Sequence, residues 1–143
     1  MTIILQLIAP VQAIALLSGD DFDMGKKILT VDDSPSMRQM VTFTLQGAGY
    51  DVVQTSDGVE ALDWARQSEV DLVLTDVHMP RMDGITLVRE LRALTHYKFV
   101  PMLILTTESS PERKMAGKKA GATGWIVKPF NPVQLLATVA RVI

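Results

Sequence analysis

The 143-residue sequence contains no cysteine, which excludes a disulfide framework, cysteine metal centres and cysteine nucleophiles, and agrees with a cytoplasmic protein. It has almost no charge excess. The formal net charge is -2, too small for bulk electrostatics to draw the chain onto nucleic acid. A secretory signal is not legible, because the start has neither a basic n-region nor a clear small-x-small cleavage site. The uncharged apolar run from Met1 to Leu17 is short for a membrane span and is broken by Gln6, Pro10 and Gln12. Gly25-Lys26 lacks the glycine-rich run that a phosphate-binding loop needs. What is present is 48% apolar residues on a length that suits one domain with one core.

Residues 1–23 read as an N-terminal extension, apolar at first and then acidic from Ser18 to Asp23. Two readings stand. Met24 is the natural start and the rest lies upstream of the functional unit, which is the preferred one. Alternatively the extension forms an extra helix that packs on this domain, or on a second copy and so drives self-association. Residues 24–143 read as the domain proper.

From Lys27 onward, short β-rich runs alternate with helical periods. Ile28 to Val31 is the first strand. Ser34-Pro35 opens a helix, with serine as N-cap and proline at the first helical position. Met37, Met40, Val41, Thr44, Leu45 and Ala48 follow at helical spacing until Gly49 stops the helix. Asp51 to Thr55 is the second strand. Asp57 and Glu60 form a capping box before an inward stripe of Val59, Leu62 and Ala65, with Trp64 on the opposite side. Asp71 to Thr75 is the third strand, and Asp83 caps a helix with Leu87, Val88, Leu91 and Leu94 inward. Met102 to Leu105 is the fourth strand. Ser110-Pro111 opens a fourth helix with few large apolar residues, the mark of low local stability. Its basic residues Arg113, Lys114, Lys118 and Lys119 read as a solvated face. Trp125 to Val127 is the fifth strand, and Asn131-Pro132 opens a last helix with Val133, Leu136, Val139 and Ala140 inward. Such repetition predicts parallel strands joined by right-handed crossovers, a three-layer doubly wound (βα)5 α/β sandwich.

In open sheets of this kind, ligands bind outside the carboxyl ends of the strands. There the sequence places Asp32-Asp33, Asp76, Thr106-Thr107 and Lys128-Pro129. Each has a bland reading: strand-terminal aspartates cap helices and form turns. The joint placement of three carboxylates, a hydroxyl and an ammonium on one rim favours chemistry. Clustered carboxylates repel unless a cation is present. Lys128 offsets one, and a hard oxygen-seeking cation such as Mg²⁺ suits the others. Asp76 beside a metal and a lysine can act as a nucleophile toward phosphorus.

The segments Val31-Asp32-Asp33-Ser34, Thr75-Asp76-Val77-His78-Met79-Pro80-Arg81-Met82-Asp83-Gly84, Leu105-Thr106 and Val127-Lys128-Pro129-Phe130 resemble, in order, the motif set of response-regulator receiver domains. The resemblance covers about residues 26 to 143. Through Thr106-Thr107-Glu108 and Gly121-Ala122-Thr123-Gly124-Trp125 it is closest to stand-alone chemotaxis regulators of the CheY type. The resemblance, not the residues themselves, implies strand order 2-1-3-4-5. It also implies that Asp76 accepts a phosphoryl group from a kinase phosphohistidine. Asp33, Asp76 and the backbone carbonyl of His78 would ligate Mg²⁺, with Asp32 acting through water. Lys128 would contact the phosphoryl group across a cis Lys128-Pro129 peptide, and Thr106 and Trp125 would move on activation. Trp125 departs from the Tyr or Phe usual in the family. His78 stands where Asn is common, and with Glu108 it would tune dephosphorylation. A lone histidine beside carboxylates does not make a zinc site.

The sequence thus reads as a phosphoacceptor switch, not an enzyme with an external product. No residues follow the last helix that could form an output domain, so output would pass through proteins. The resemblance implies a chemotaxis-type histidine kinase and a flagellar motor switch protein or similar target. Two alternatives stand beside it. One is a Mg²⁺-dependent phosphatase working through an aspartyl phosphate, which usually shows Asp-x-Asp and a cap insertion. The other is an interaction domain that is never phosphorylated.

Overall fold

The computed structural model describes residues 25–143. The extension and its two readings lie outside the described residues. Five strands form one parallel sheet: β1 (Lys27–Val31), β2 (Asp51–Thr55), β3 (Leu72–Thr75), β4 (Met102–Thr106) and β5 (Gly124–Val127). Their order is β2-β1-β3-β4-β5, as expected. Five helices connect and follow them: α1 (Pro35–Gly47), α2 (Gly58–Arg66), α3 (Gly84–Arg92), α4 (Pro111–Ala120) and α5 (Pro132–Val142).

Strand alternation divides the core into two layers. Ile28, Leu72, Leu74, Leu103 and Leu105 turn to one face, where they meet Val41 and Leu45 of α1 and Leu135 and Val139 of α5. Leu29, Val31, Val73 and Met102 turn to the other, against Ala61, Leu62 and Ala65 of α2 and Leu87, Val88 and Leu91 of α3. Each such fully buried aliphatic side chain contributes about 1.5–3 kcal/mol relative to exposure. α4 has no large buried residue. It sits through Ala116, Gly117 and Ala120 near Ile104 and Trp125, which accounts for its weak apolar stripe.

The caps fall where expected. Ser34, Asp57, Asp83, Ser110 and Asn131 each accept hydrogen bonds from amides of the first turn of their helix. Four assignments are corrected, three of them inward. In α5, Val133 is 75% exposed and Ala140 is exposed, while Leu135 and Val139 are buried. That helix is apolar on several sides, so periodicity alone does not select the seam that faces α1 and the sheet. Met40 points outward, because Met37, Val41, Leu45 and Ala48 already fill the inner face of α1. Trp64 is not isolated at the surface but packs half-buried against the α2–α3 core. Among the described residues, no helix is long and apolar enough to cross a membrane.

Candidate functional site

Parallel register brings the rim residues together. Val31 pairs with Thr75, and Thr106 pairs with Val127. Asp32, Asp76 and Lys128 are therefore each the first residue beyond a paired row. The ladder continues one step further, since the Asp32 amide donates to Thr55 O at 3.2 Å and the Asp76 amide to Val31 O at 2.9 Å. The Lys128 amide donates to Thr106 O at 2.8 Å.

The side chains converge from these anchors. Lys128 Nζ donates to Asp32 Oδ2 at 2.9 Å and to Asp76 Oδ2 at 3.1 Å. All three side chains are about nine-tenths buried, with relative exposures of 9%, 9% and 11%. Burial works to lower the Lys128 pKa, but the bonds and charges of Asp32 and Asp76 outweigh it, so the ammonium is held above its ordinary value. The free oxygens are also oriented: Asp32 Oδ1 accepts from the Ser34 amide at 2.9 Å, and Asp76 Oδ1 accepts from the Val77 amide at 2.6 Å. Asp33 is exposed, yet it completes the cluster, with one oxygen from each of Asp32, Asp33 and Asp76 lying within 4.8 Å of one another.

Three carboxylates against one ammonium leave two negative charges on an oxygen-only donor set. That chemistry fits a hard divalent cation, with Asp33 as the exposed donor beside Asp32 and Asp76, which share Lys128. The residues present thus fit Mg²⁺.

Around this centre the remaining predicted residues form a rim. Thr106 is fully buried, and its Oγ1 accepts from the Glu108 amide at 3.2 Å. The exposed His78 Nε2 lies 3.1 Å from Glu108 Oε1. The Ser110 amide, then the Ser110 hydroxyl and His78, lower the pKa of Glu108. Trp125 Nε1 donates to Glu108 O at 2.9 Å, and its ring lies against Gly117, where an added Cβ would come within 2.8 Å of it. His78, Glu108 and Trp125 are therefore linked to one another, and Thr106 joins them through the Glu108 amide. The Lys128-Pro129 peptide is cis.

Sequence reasoning missed several supports of this site. Arg38 donates to Asp32 O at 2.6 Å. Gly84 N–H donates to Val77 O at 2.8 Å, and a Cβ there would collide with Asp76 O. Arg81 makes a forked ion pair with Asp57 on the neighbouring connection. Gly84 was visible as a glycine immediately behind a capping aspartate. The two arginines carried no local signal, because their partners are defined only by the fold.

Residues 28–140 match the family model of the response regulator receiver domain. The chain belongs to that family. Among solved structures it resembles the chemotaxis protein CheY4 of Vibrio cholerae, with 54% identity and a TM-score of 0.80, covering 83% of this chain and 99% of that one. It also resembles the receiver domain of the Pseudomonas aeruginosa sensor histidine kinase PA1611, solved with a magnesium ion coordinated in its active site cleft. There the identity is 30% and the TM-score 0.78, over 82% of this chain and 97% of that one. The DNA-binding response regulator MtrA of Mycolicibacterium smegmatis is 40% identical over 116 residues, 81% of this chain but 50% of MtrA. The chain thus spans about half the length of such curated relatives. Receiver domains are phosphoacceptor switches of two-component systems rather than conventional enzymes.

Proposed function

We propose that this receiver domain is switched by phosphorylation of Asp76, with residues 24–143 as the functional unit. The observation that carries the reading is Lys128 bridging Asp32 and Asp76 at a buried rim while Asp33 stays open beside them. Asp33, Asp76 and the His78 carbonyl would hold a Mg²⁺ ion, with Asp32 acting through water, and the ion would supply charge neutralisation at the phosphoryl oxygens. Asp76 Oδ2, freed from Lys128, attacks the phosphorus of a kinase phosphohistidine, and the phosphorus–nitrogen bond breaks. The Lys128 ammonium then pairs with a phosphoryl oxygen, and the Thr106 hydroxyl turns toward another. These residues act on the domain's own acyl phosphate, both in its formation and in its hydrolysis.

Thr106 is tied to Glu108, and Glu108 to Trp125 and His78. Movement of Thr106 is thereby passed to α4 and β5, the elements that would present the output face. His78 and Glu108 sit over the mouth and set the lifetime of the phosphate. The partner is a histidine kinase. A cytoplasmic chemotaxis role, with a chemotaxis-type kinase and a flagellar motor switch protein or similar target, is favoured by the likeness to CheY4 over almost the whole of that protein.

The test is intact mass after incubation with Mg²⁺ and acetyl phosphate, beside an Asp76→Asn control. The expected result is one labile phosphoryl adduct on the parent and none on the control. Mg²⁺ binding without any adduct, even under rapid quench, would reduce the chain to an interaction domain. Sustained turnover of a small phosphate ester would instead make it a phosphatase.

A further inference from the structure

The connection from β3 to α3 carries His78 and borders the acidic cluster, so its position bears on the site. Its base is fixed locally: Gly84 N–H closes onto Val77 O, and Asp83 caps α3 through the Thr86 amide at 2.9 Å. Its tip is fixed from a distance. The Met82 amide donates to Pro80 O at 2.7 Å, a three-residue turn centred on Arg81. Arg81 is the one non-glycine with positive φ among the described residues, at 69°. Such a backbone is costly for a side chain and persists only where surrounding contacts hold it.

The contacts that hold it come from α2. Arg81 Nε donates to Asp57 Oδ2 at 3.1 Å, and Nη2 donates to Oδ1 at 3.0 Å and to Oδ2 at 2.8 Å. Asp57 is itself immobilised as the α2 N-cap, with Oδ1 accepting from the Glu60 amide at 2.9 Å. One residue on, Gly58 packs so closely on the loop that an added Cβ would lie 2.8 Å from Met82 O. A planar guanidinium matched to both oxygens of an anchored carboxylate fixes direction as well as distance. Had the pair served only surface charge, neither the left-handed turn nor the glycine contact would be needed.

We infer that the Arg81–Asp57 pair is a positioning latch that holds the β3–α3 loop in register with the acidic cluster, so that breaking it weakens cation binding and slows phosphorylation without removing any ligand. The inference rests on the Asp76 and Mg²⁺ reading above. Arg81 bonds Asp57 and makes no hydrogen bond or ion pair to Asp32, Asp33, Asp76 or Lys128, so it acts through the loop backbone.

The pair can be broken from either side. Arg81→Ala removes the fork. Asp57→Asn keeps an oxygen to cap α2 but loses the charge. Magnesium affinity by calorimetry should fall about tenfold in each, the lower end of what losing an outer-shell partner costs a metal site. The double variant should be no weaker than either single one, because both remove the same interaction. In Mg²⁺-free protein, the amides of His78, Met79, residue 81 and Met82 should exchange faster in both variants. Arg81→Lys, which keeps the charge and the stem, should recover part of the affinity and covers the case in which Arg81→Ala fails to fold. Arg81→Gly relieves the backbone while losing the fork, so its affinity should fall without a matching fall in melting temperature. Affinities within twofold of the parent in Arg81→Lys, Asp57→Asn and Arg81→Gly overturn the latch while leaving the switch intact. A parent that neither binds Mg²⁺ nor accepts a phosphoryl group overturns the latch together with the reading on which it rests.

Discussion

At the scale of single residues, the site depends on side chains that are absent as much as on those that are present. Gly84 is the clearest case: its φ is ordinary, but a methyl group there would collide with the carbonyl of Asp76 itself. Gly84→Ala should therefore push the Asp76 end of β3 off β1 and cost about 2–4 kcal/mol, read as a lower midpoint of urea unfolding with little change in slope. A near-parent midpoint would mean that the loop gives way freely, and the close approach would lose its significance. Tyr97 shows the opposite economy, a polar group accepted inside the core because it is matched. Its hydroxyl donates to Ser68 O at 3.0 Å, and burial, with Glu69 nearby, pushes its pKa up to about 12. The unfolded chain releases this proton near 10.0, whereas the folded chain keeps it to about 12. Between those values the unfolded state carries fewer protons, so this group's contribution to stability falls as pH rises. Tyr97→Phe should cost about 1 kcal/mol at neutral pH, and the gap to the parent should narrow as unfolding is measured upward from pH 10. A constant gap would show that the phenol titrates normally.

Among the elements, the most consequential tie is one that sequence patterning cannot display. Arg92 ends α3, and burial lowers its pKa. Its guanidinium donates to Gly121 O beyond α4 and to Tyr97 O, Lys98 O and Val100 O before β4. Arg92→Met keeps the stem but strands these carbonyls, and should lower stability by about 2–3 kcal/mol in chemical denaturation. A loss below about 0.5 kcal/mol would mean that water replaces the guanidinium without cost. The same contrast explains what was legible in advance. All five strands, the caps and the acidic rim were readable, because a short β-rich run, a Ser-Pro or an Asp before a helix each carries a local rule. The face of α5 was not, because Val133, Leu135, Leu136, Val139 and Ala140 offer several stripes and only packing selects Leu135 and Val139. Nor were Arg81 and Arg92, whose acceptors Asp57 and Gly121 lie 24 and 29 residues away in sequence and become neighbours only through the fold, nor Arg38, whose acceptor is a backbone carbonyl that no side-chain pattern marks.

For the molecule as a whole, the acidic edge is a deliberate electrostatic conflict. Asp32 and Asp76 share one buried ammonium, and Asp33 adds a third carboxylate with no cation of its own among the described residues. Sites of this kind hold stability below what the fold could reach, because removing a like charge relieves the free protein while disabling the function. Asp33→Asn should raise the stability of the Mg²⁺-free protein by about 1 kcal/mol, seen as a higher melting temperature in chelator. The parent should recover stability on adding Mg²⁺, by about 2.7 kcal/mol at a hundredfold excess over its dissociation constant, and Asp33→Asn should respond far less. The two curves would then converge or cross as the metal is titrated. If Asp33→Asn is neither more stable without metal nor less responsive to it, the carboxylate is ordinary surface charge. The two negative charges assigned to the site would then no longer argue for a divalent cation.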